Sequence, residues 1–129
     1  RGRVGLAGDK SRAHRAVILS ALSSAKTTLE NFPSNDDCLT TLKAFRQLGI
    51  RSTLKRSKVM IYGKGLFGLK KPNGPIFLAD SGTSLRLLLG ILAGQKFSVT
   101  LTAGKSLSKR PMARVTLPLG KMGAKIIGR

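Results

Sequence analysis

Apolar residues recur three and four positions apart in two early stretches of the chain, which is the spacing of an amphipathic helix. The first stretch covers residues 11–24. The second begins at residues 35–37, where Asn and Asp side chains can cap a helix, and ends at Gly49, a typical helix terminator. The predicted apolar face of this second helix consists of Leu39, Leu42, Phe45 and Leu48.

Strand-forming stretches surround the two helices. Residues 1–6 and 27–32 favour strands, and residues 50–54 and 59–62 flank the polar turn KRSK as the two arms of a β-hairpin do. The element order β-α-β-α-β-β therefore fits residues 1–65.

A similar pattern begins again after residues 66–74, a turn-rich stretch that we interpret as a linker. Pro118 falls inside the last predicted helix and is expected to kink it, unless that helix begins later. The predicted elements of this second half are, in order, a strand at 76–78, a turn at 81–83, a buried helix at 84–93, a strand at 97–102, a basic loop at 105–110, a helix at 111–122 and a strand at 125–127.

The two halves share matched positions. Arg15 in the first helix corresponds to Arg86 in the buried one, and the LGI that follows the second helix corresponds to MGA near the end of the chain. A repeat of this length indicates duplicated supersecondary units that pack side by side. We therefore predict an α/β (α+β) fold with one unit at residues 1–65 and a second at residues 75–129, which ends one strand early.

Charge restricts the possible functions. The chain has 24 Lys and Arg residues against 5 Asp and Glu residues, a formal net charge of +19 at pH 7. Such a surface favours nucleic acid, an anionic membrane or phosphorylated metabolites as partners. Cys38 is the one cysteine, which excludes an intrachain disulfide framework and indicates a reducing compartment. No apolar run is long enough to predict a membrane-spanning helix.

The stretch GDKSRAHR at residues 8–15 combines a glycine turn with cations at a helix start. Backbone N–H groups point outward there, and Lys10 and Arg15 add charge that suits phosphate or carboxylate. The alternative is a solvated basic first turn with Ser11 as the N-cap, although cations at a helix N-terminus oppose its dipole and need a compensating anion. His14 could act as a base, but a structural role is favoured.

The stretch DSGTSLR is a second such corner, because Ser81, Gly82 and Thr83 offer N–H groups and hydroxyls where the buried helix begins. Arg86 lies inside this helix, and a buried Arg is rare unless it is paired or faces a site. The alternative is a helix cap in which Arg86 pairs with Asp80 or with another acid.

A third basic stretch, KSLSKRPMAR at residues 105–114, covers a loop and a helix start, and a solvated charge run is its alternative. Because helix starts in parallel units can meet at one end of a fold, we predict an anion site with several phosphate or carboxylate pockets. The sequence shows no acid pair, metal-ligand set or nucleophile–base pair, and few aromatic residues on which single-stranded nucleic acid could stack. The cations of this stretch are Lys105, Lys109, Arg110 and Arg114.

Four stretches resemble the motifs of 5-enolpyruvylshikimate-3-phosphate (EPSP) synthase, in the family's order and over nearly the whole chain. GDKSRAHRA resembles PGDKSxSHRA, and SNDDCLTTLKAFRQLGI resembles SDDTxxMLxALxxLG. DSGTSLRLLLGILAG resembles NSGTxxRLLxGLLAG, and LTAGKSLSKRPMARVTLPLGKMGAKI resembles LTGDxSLxxRPMxRVxxPLxxMGAxI. The sister family, UDP-N-acetylglucosamine enolpyruvyl transferase, shares the fold but fits these motifs less well, and it stays an alternative.

The resemblance implies repeated β-α-β-α-β-β units around buried parallel helices, of which this chain holds part of one domain. It implies a transferase that moves the enolpyruvyl group from phosphoenolpyruvate to shikimate 3-phosphate, a step of the shikimate pathway toward aromatic amino acids. It implies no metal or other cofactor, a monomer at full length, and a cytoplasmic location (a plastid if the source is a plant). The family's catalytic Asp, Lys and Glu lie in its other domain, so we expect this chain to be inactive without the remaining part of the enzyme.

The resemblance also implies roles for individual residues. Lys10 would contact both substrates, and Ser11 and Arg15 would hold shikimate 3-phosphate. The N–H of Gly82 and the side chain of Arg110 would bind the phosphate of phosphoenolpyruvate, where the herbicide glyphosate also binds.

Thr83 and Arg86 would shape that phosphate corner. Asp80 stands where the family has Asn, and its charge would repel an anion unless a cation pairs with it. Ala7 replaces the Pro of the first motif, and Leu87 stands where some members have Pro. The family does not account for the charge of +19. Two alternative hypotheses therefore stay open. In one, the chain is a basic fragment that binds nucleic acid or anionic surfaces; in the other, it is an inert piece with exposed apolar surface.

Overall fold

The computed structural model describes residues 8–128, which form a mixed arrangement of helices and two small sheets. The α/β class predicted from the sequence is confirmed. The strand predicted at residues 1–6 lies outside the described residues.

Helices α1 (Lys10–Leu22) and α2 (Asp36–Gln47) form where the apolar periodicity predicts them, and they pack against each other. Asn35 caps α2 by accepting a hydrogen bond from the backbone N–H of Cys38 at 2.9 Å. The chain turns away from α2 at Gly49, whose φ of +87° favours a residue without a side chain.

Strands β1 (Lys26–Leu29), β2 (Arg51–Lys55) and β3 (Lys58–Tyr62) form an antiparallel sheet in the order β1-β3-β2. The predicted hairpin is confirmed as β2 and β3, and β1 is shorter than the stretch predicted for it. Val59 and Ile61 on β3 are fully buried against the helices, so this sheet presents its other face to solvent.

The second half begins with β4 (Ile76–Phe77), which pairs in parallel with β5 (Leu101–Thr102). Between these strands runs α3 (Gly82–Ala93), which packs against α2 and α5. The short helix α4 (Lys105–Ser108) follows β5, and α5 (Ala113–Lys121) is the last helix of the described chain.

Three predictions for this half are wrong. Only the last two residues of the strand predicted at 97–102 form a strand, β5, because the partner strand β4 offers only two residues for pairing. The basic loop predicted at residues 105–110 contains α4, whose start is capped by a side chain distant in sequence. Residues 125–127 form no strand, since nothing in residues 8–128 pairs with them.

Two further expectations for the helices are corrected. The α3 helix is only half buried, because Leu88 is fully buried whereas Leu87 and Ile91 on another face stay partly exposed. The last helix starts at Ala113, later than predicted, and it continues through the exposed Pro118. Proline lacks the N–H that would bond the carbonyl one turn earlier, which is tolerated best where water can replace it.

The core lies between the three-stranded sheet and the helices α1, α2 and α3. No helix among residues 8–128 combines the length and the apolar character needed to cross a membrane. The largest fully buried apolar side chains are Phe45, Leu48, Ile61, Ile76, Leu78, Leu88, Leu107, Val17 and Val59.

Candidate anion-binding site

The first turn of α1 is capped by Asp9, whose carboxylate accepts a hydrogen bond from the Arg12 backbone N–H at 2.7 Å. The alternative in which Ser11 is the N-cap is therefore wrong, and the Ser11 side chain lies exposed within the first turn. Asp9 supplies part of the negative charge that a basic helix start requires.

Lys10 forms an ion pair with Asp37, which lies in the first turn of α2. The hydrogen bond from Lys10 lowers the pKa of Asp37, and the same bond raises the pKa of Lys10. The sulfur of Cys38 lies 3.7 Å from the backbone oxygen of Lys10, so the starts of α1 and α2 are in direct contact.

A buried polar cluster continues from this contact toward α3. Nδ1 of His14 lies 2.7 Å from Oγ1 of Thr41, which lies 2.6 Å from Oγ of Ser84. Oγ of Ser84 lies a further 2.6 Å from Oγ of Ser81, the N-cap of α3. Burial lowers the pKa of His14, which keeps its imidazole neutral in the interior. The starts of α1, α2 and α3 therefore meet at one end of the fold.

Two guanidinium groups converge at Gly82, the first residue of α3. A Cβ atom placed on Gly82 would lie 2.8 Å from Nη1 of Arg86 and 3.4 Å from Nη1 of Arg110. Arg110 follows α4, so the end of that short helix also meets the start of α3. Two like charges over a helix N-terminus create a strongly anion-attracting corner.

The N–H of Gly82 donates to the backbone oxygen of Asp80 at 3.0 Å, and its predicted role in phosphate binding stays a prediction. The carboxylate of Asp80 accepts a hydrogen bond from the Leu107 N–H at 2.8 Å, which caps α4 from outside the helix. The ion pairs found among the described residues are Lys10–Asp37 and Lys58–Glu30, so the alternative in which Arg86 pairs with an acid is not supported there.

Arg15 lies exposed on α1, five positions after Lys10. It lines a shallow groove between α1 and α3, together with Leu87 and Ile91. The remaining site predictions of the third basic stretch, together with Thr83 of the second corner, are exposed side chains with no ion pair within residues 8–128. These residues are Thr83, Lys105, Lys109 and Arg114.

Sequence reasoning missed three polar residues that organise this end of the fold. Asp37 was expected only as a helix cap, and its pairing with Lys10 joins positions that are distant in sequence. Thr41 and Ser84 were not singled out, although a hydroxyl on the apolar face of a helix is a signal for a buried hydrogen bond. The fold and the site together define an α/β unit in which several helix starts converge and carry cations.

Comparisons with known proteins agree with this class. The family model described as EPSP synthase (3-phosphoshikimate 1-carboxyvinyltransferase) matches residues 1–129, and the chain belongs to this family. A relative named 3-phosphoshikimate 1-carboxyvinyltransferase from Shouchella clausii is 48% identical over 99% of this chain, and one from Bacillus subtilis is 47% identical over 99%. The resemblance to EPSP synthase found in the sequence is therefore confirmed.

Solved structures lead to the same family. EPSP synthase from Acinetobacter baumannii superimposes on 97% of this chain with a TM-score of 0.94 and 43% sequence identity. That match covers 28% of the solved chain. The present chain likewise spans 30% of the length of the two curated relatives.

Proposed function

We propose that this chain supplies part of the substrate-binding wall of an enzyme that transfers the enolpyruvyl group from phosphoenolpyruvate to shikimate 3-phosphate. The observation that carries the proposal is the convergence of helix starts, with Lys10 at one and Arg86 and Arg110 at another. Both proposed substrates carry several negative charges, which such an arrangement binds and orients.

The phosphate of phosphoenolpyruvate is proposed to lie over Gly82, between the guanidinium groups of Arg86 and Arg110. The missing Cβ of Gly82 leaves the space that the two side chains approach. Since the Gly82 N–H already donates to the backbone of Asp80, it becomes available to phosphate only if this turn opens. The planar guanidinium groups, with paired N–H donors, are the better phosphate ligands of this corner.

Shikimate 3-phosphate is proposed to bind along α1, through Lys10, Ser11 and Arg15. The ion pair with Asp37 holds the Lys10 ammonium group in one position. A ligand would therefore meet a cation that is already oriented. Arg15 and Ser11 are exposed, which leaves both side chains able to contact a ligand. In this proposal Lys10 also reaches phosphoenolpyruvate.

Asp80 is proposed to be a supporting residue rather than a ligand. Its carboxylate is engaged at the start of α4, where it holds Leu107 and hence the turn that leads to Arg110. The negative charge is thereby directed partly at the backbone N–H of Leu107, which reduces its repulsion of a bound anion.

The rest of the enzyme is proposed to complete the site. The family's catalytic acid and base residues would lie there, and the chain alone would bind substrate without turning it over. Large apolar side chains lie exposed on this chain, such as Phe67 (80% exposed), Met122 (82%) and Leu19 (68%). Their exposure supports the proposal that the rest of the enzyme packs against this surface.

The unit boundaries, the monomeric state and the cytoplasmic location stay predictions. The division into units at residues 1–65 and 75–129 is supported by two helix ends of the same geometry. Gly49 after α2 and Gly123 after α5 both have positive φ, of +87° and +97°. Ile50 and Ala124 each donate a backbone hydrogen bond back to the helix at 3.0 Å.

The proposal is tested by titrating the 129-residue chain with shikimate 3-phosphate and recording backbone amide shifts by NMR. The expected result is saturable shifts near Lys10 and Arg15, with affinity lowered about ten- to a hundredfold in Lys10→Ala or Arg15→Ala, because a charge-assisted hydrogen bond contributes about 1.5–3 kcal/mol. Lys55→Ala on the three-stranded sheet is the matched control and should bind normally.

Shikimate without its phosphate and an unrelated DNA oligonucleotide serve as competing ligands in the same titration. No shift with shikimate 3-phosphate, or equal losses in Lys10→Ala and Lys55→Ala, would overturn the proposal. Salt-dependent binding of the oligonucleotide alone would favour the basic nucleic-acid-binding alternative.

A further inference from the structure

The three-stranded sheet packs one face on the helices and leaves the other face to solvent. Every second residue of β3 is buried against the helices, and the residues between them lie on the solvent side. Residues paired directly across neighbouring strands share a face, so the same side continues onto β1 and β2. This outer sheet face includes Lys26, Arg51, Lys55, Lys58, Met60 and Tyr62.

The outer sheet face carries four cations and little opposite charge. Glu30 pairs with Lys58 at 3.1 Å, and the other four of the chain's five acids lie at or beside helix starts. Lys55 and Lys58 are paired directly across β2 and β3, and like charges in that position weaken a sheet. A bound anion would relieve this repulsion.

A tyrosine ring lies between two of these cations. The Arg51 guanidinium carbon is 4.0 Å from the centre of the Tyr62 ring, and the Lys26 ammonium nitrogen is 5.6 Å from it. Arg51 is itself exposed, so its guanidinium group offers the solvent a flat, charged surface that the ring supports. Aromatic rings and guanidinium planes are the surfaces on which unpaired nucleobases stack. Aromatic residues are few in this chain, and its one tyrosine lies here.

Charged residues on edge strands also have a purely protective role, because they prevent a sheet from pairing with other chains. That role accounts for Lys26 on β1 and Lys55 on β2, the two outer strands of the sheet. It accounts neither for Lys58 on the central strand nor for the guanidinium group that stacks on Tyr62.

We propose that the outer sheet face binds a single-stranded nucleic acid, with phosphates held by the lysines and a base stacked on the Arg51 guanidinium group. Arg51 and Lys55 lie four residues apart on β2, about 13 Å at 3.3 Å per residue, so a few nucleotides span both ends of the face. The face shares no residue with the proposed shikimate 3-phosphate site, and the inference does not depend on that site.

Other anionic partners fit this surface less well. A duplex is read by a helix or a β-ribbon that enters one of its grooves, whereas this sheet face presents no such projection. A membrane surface takes up exposed apolar side chains together with cations. Met60, the apolar side chain of this face, is half-buried. An extended single strand is therefore the partner that the face accommodates best.

Binding is measured by the fluorescence anisotropy of a labelled oligothymidylate of about twelve nucleotides, titrated with the 129-residue chain. Lys55→Ala should lower the affinity about two- to fivefold. It should also reduce the slope of log affinity against log salt by about 0.7, because one phosphate contact is lost. Lys121→Ala, at an exposed cation of α5, is the matched control with the same change in net charge and should leave both quantities unchanged.

The stacking contribution is tested separately from charge. Arg51→Lys keeps the charge and removes the flat guanidinium group, so it should lower the affinity about five- to tenfold. An abasic oligomer of the same length keeps the phosphates and should bind the unaltered chain more weakly by a similar factor. Equal affinities for the abasic oligomer and the oligothymidylate would overturn the stacking of a base on Arg51.

The fluorescence of Tyr62 locates the bound nucleic acid, because the chain has one tyrosine and no tryptophan. We expect a saturable change, corrected for the absorbance of the oligonucleotide, with the same midpoint as the anisotropy. An unchanged Tyr62 signal at saturation would show that the oligonucleotide binds elsewhere and would overturn the proposal.

The remaining outcomes separate this inference from its competitors and from the proposed function. Equal losses in Lys55→Ala and Lys121→Ala would attribute the binding to net charge and overturn the inference. Tighter binding of a duplex of the same length, or of phosphatidylcholine vesicles that contain phosphatidylserine, would overturn it too. If Arg51→Lys does not fold, Lys55→Ala and the Tyr62 signal decide. Failure to bind the oligothymidylate overturns this inference alone, since shikimate 3-phosphate is titrated independently.

Discussion

The carboxylate of Asp80 lies so close to Gly104 that position 104 has no room for a side chain. The substitution Gly104→Ala therefore tests whether Asp80 holds the start of α4. A Cβ atom at Gly104 would lie 2.7 Å from Oδ1 of Asp80 and 2.9 Å from both Cγ and Oδ2. Gly104 has φ −70° and ψ 172°, which alanine adopts without strain. The carboxylate therefore has to move, and the 2.8 Å hydrogen bond from Leu107 N–H to Asp80 is lost.

The expected cost follows from these contacts. A hydrogen bond to a charged acceptor contributes about 1.5–3 kcal/mol, and Asp80 is exposed, so the lower end of this range applies. Replacing glycine at an unstrained position stabilises the folded chain by about 0.4–1 kcal/mol through the unfolded state. We therefore expect Gly104→Ala to lower the free energy of unfolding by about 1 kcal/mol.

Urea unfolding of the 129-residue chain, followed by circular dichroism, measures this cost. Gly90→Ala is the matched control, because Gly90 lies inside α3 with open space around its Cβ position, and it should stabilise the chain by about 0.5–1 kcal/mol. In the background of Asp80→Ala, Gly104→Ala should no longer destabilise. An equal cost of Gly104→Ala with and without the Asp80 carboxylate would refute the reasoning.

Three other changes test the site and its charges. Burial lowers the pKa of His14, so below about pH 6.5 the unfolded chain binds more protons than the folded chain. The free energy of unfolding, measured by urea titration, should therefore fall from pH 7 to pH 5. His14→Asn should remove this pH dependence. The hydrogen bond from Lys10 lowers the pKa of Asp37, so the free energy of unfolding should fall again below about pH 4. This second loss should be absent in Asp37→Asn. If it persists there, the Lys10–Asp37 ion pair does not have the stabilising role inferred for it. Gly82→Ala should displace the Arg86 guanidinium and lower the affinity for inorganic phosphate, measured by calorimetry, about three- to tenfold with little change in stability, and an unchanged affinity would argue against phosphate over Gly82.

Local sequence patterns predicted the parts of the fold that local interactions determine. The periodicity of α1 and α2 and the polar turn of the β2–β3 hairpin depend on neighbours within a few residues. The α4 helix was missed because its four residues give no periodic signal and its cap comes from Asp80. The strand predicted at residues 125–127 failed because strand propensity acts only where a partner strand is available.

The sequence predicts the cations of the candidate site but not the residues with which they pair. Lys10, Arg86 and Arg110 stand out in the sequence because each is near a helix start. The choice of Asp9 over Ser11 as the cap of α1 could not be made, since both residue types cap helices and lie two positions apart. The Lys10–Asp37 pair depends on how α1 and α2 pack, which sequence spacing does not reveal.

The most direct test of the substrate-binding role is the activity of a chimera in which this chain replaces the matching 30% of the Bacillus subtilis relative. The assay measures phosphate released from phosphoenolpyruvate and shikimate 3-phosphate. We expect the chimera to release phosphate, Arg110→Ala to lower its kcat/KM about ten- to a hundredfold, and Lys55→Ala to leave kcat/KM unchanged. A folded chimera that releases no phosphate, or one that Arg110→Ala leaves unchanged, would contradict the substrate-binding role.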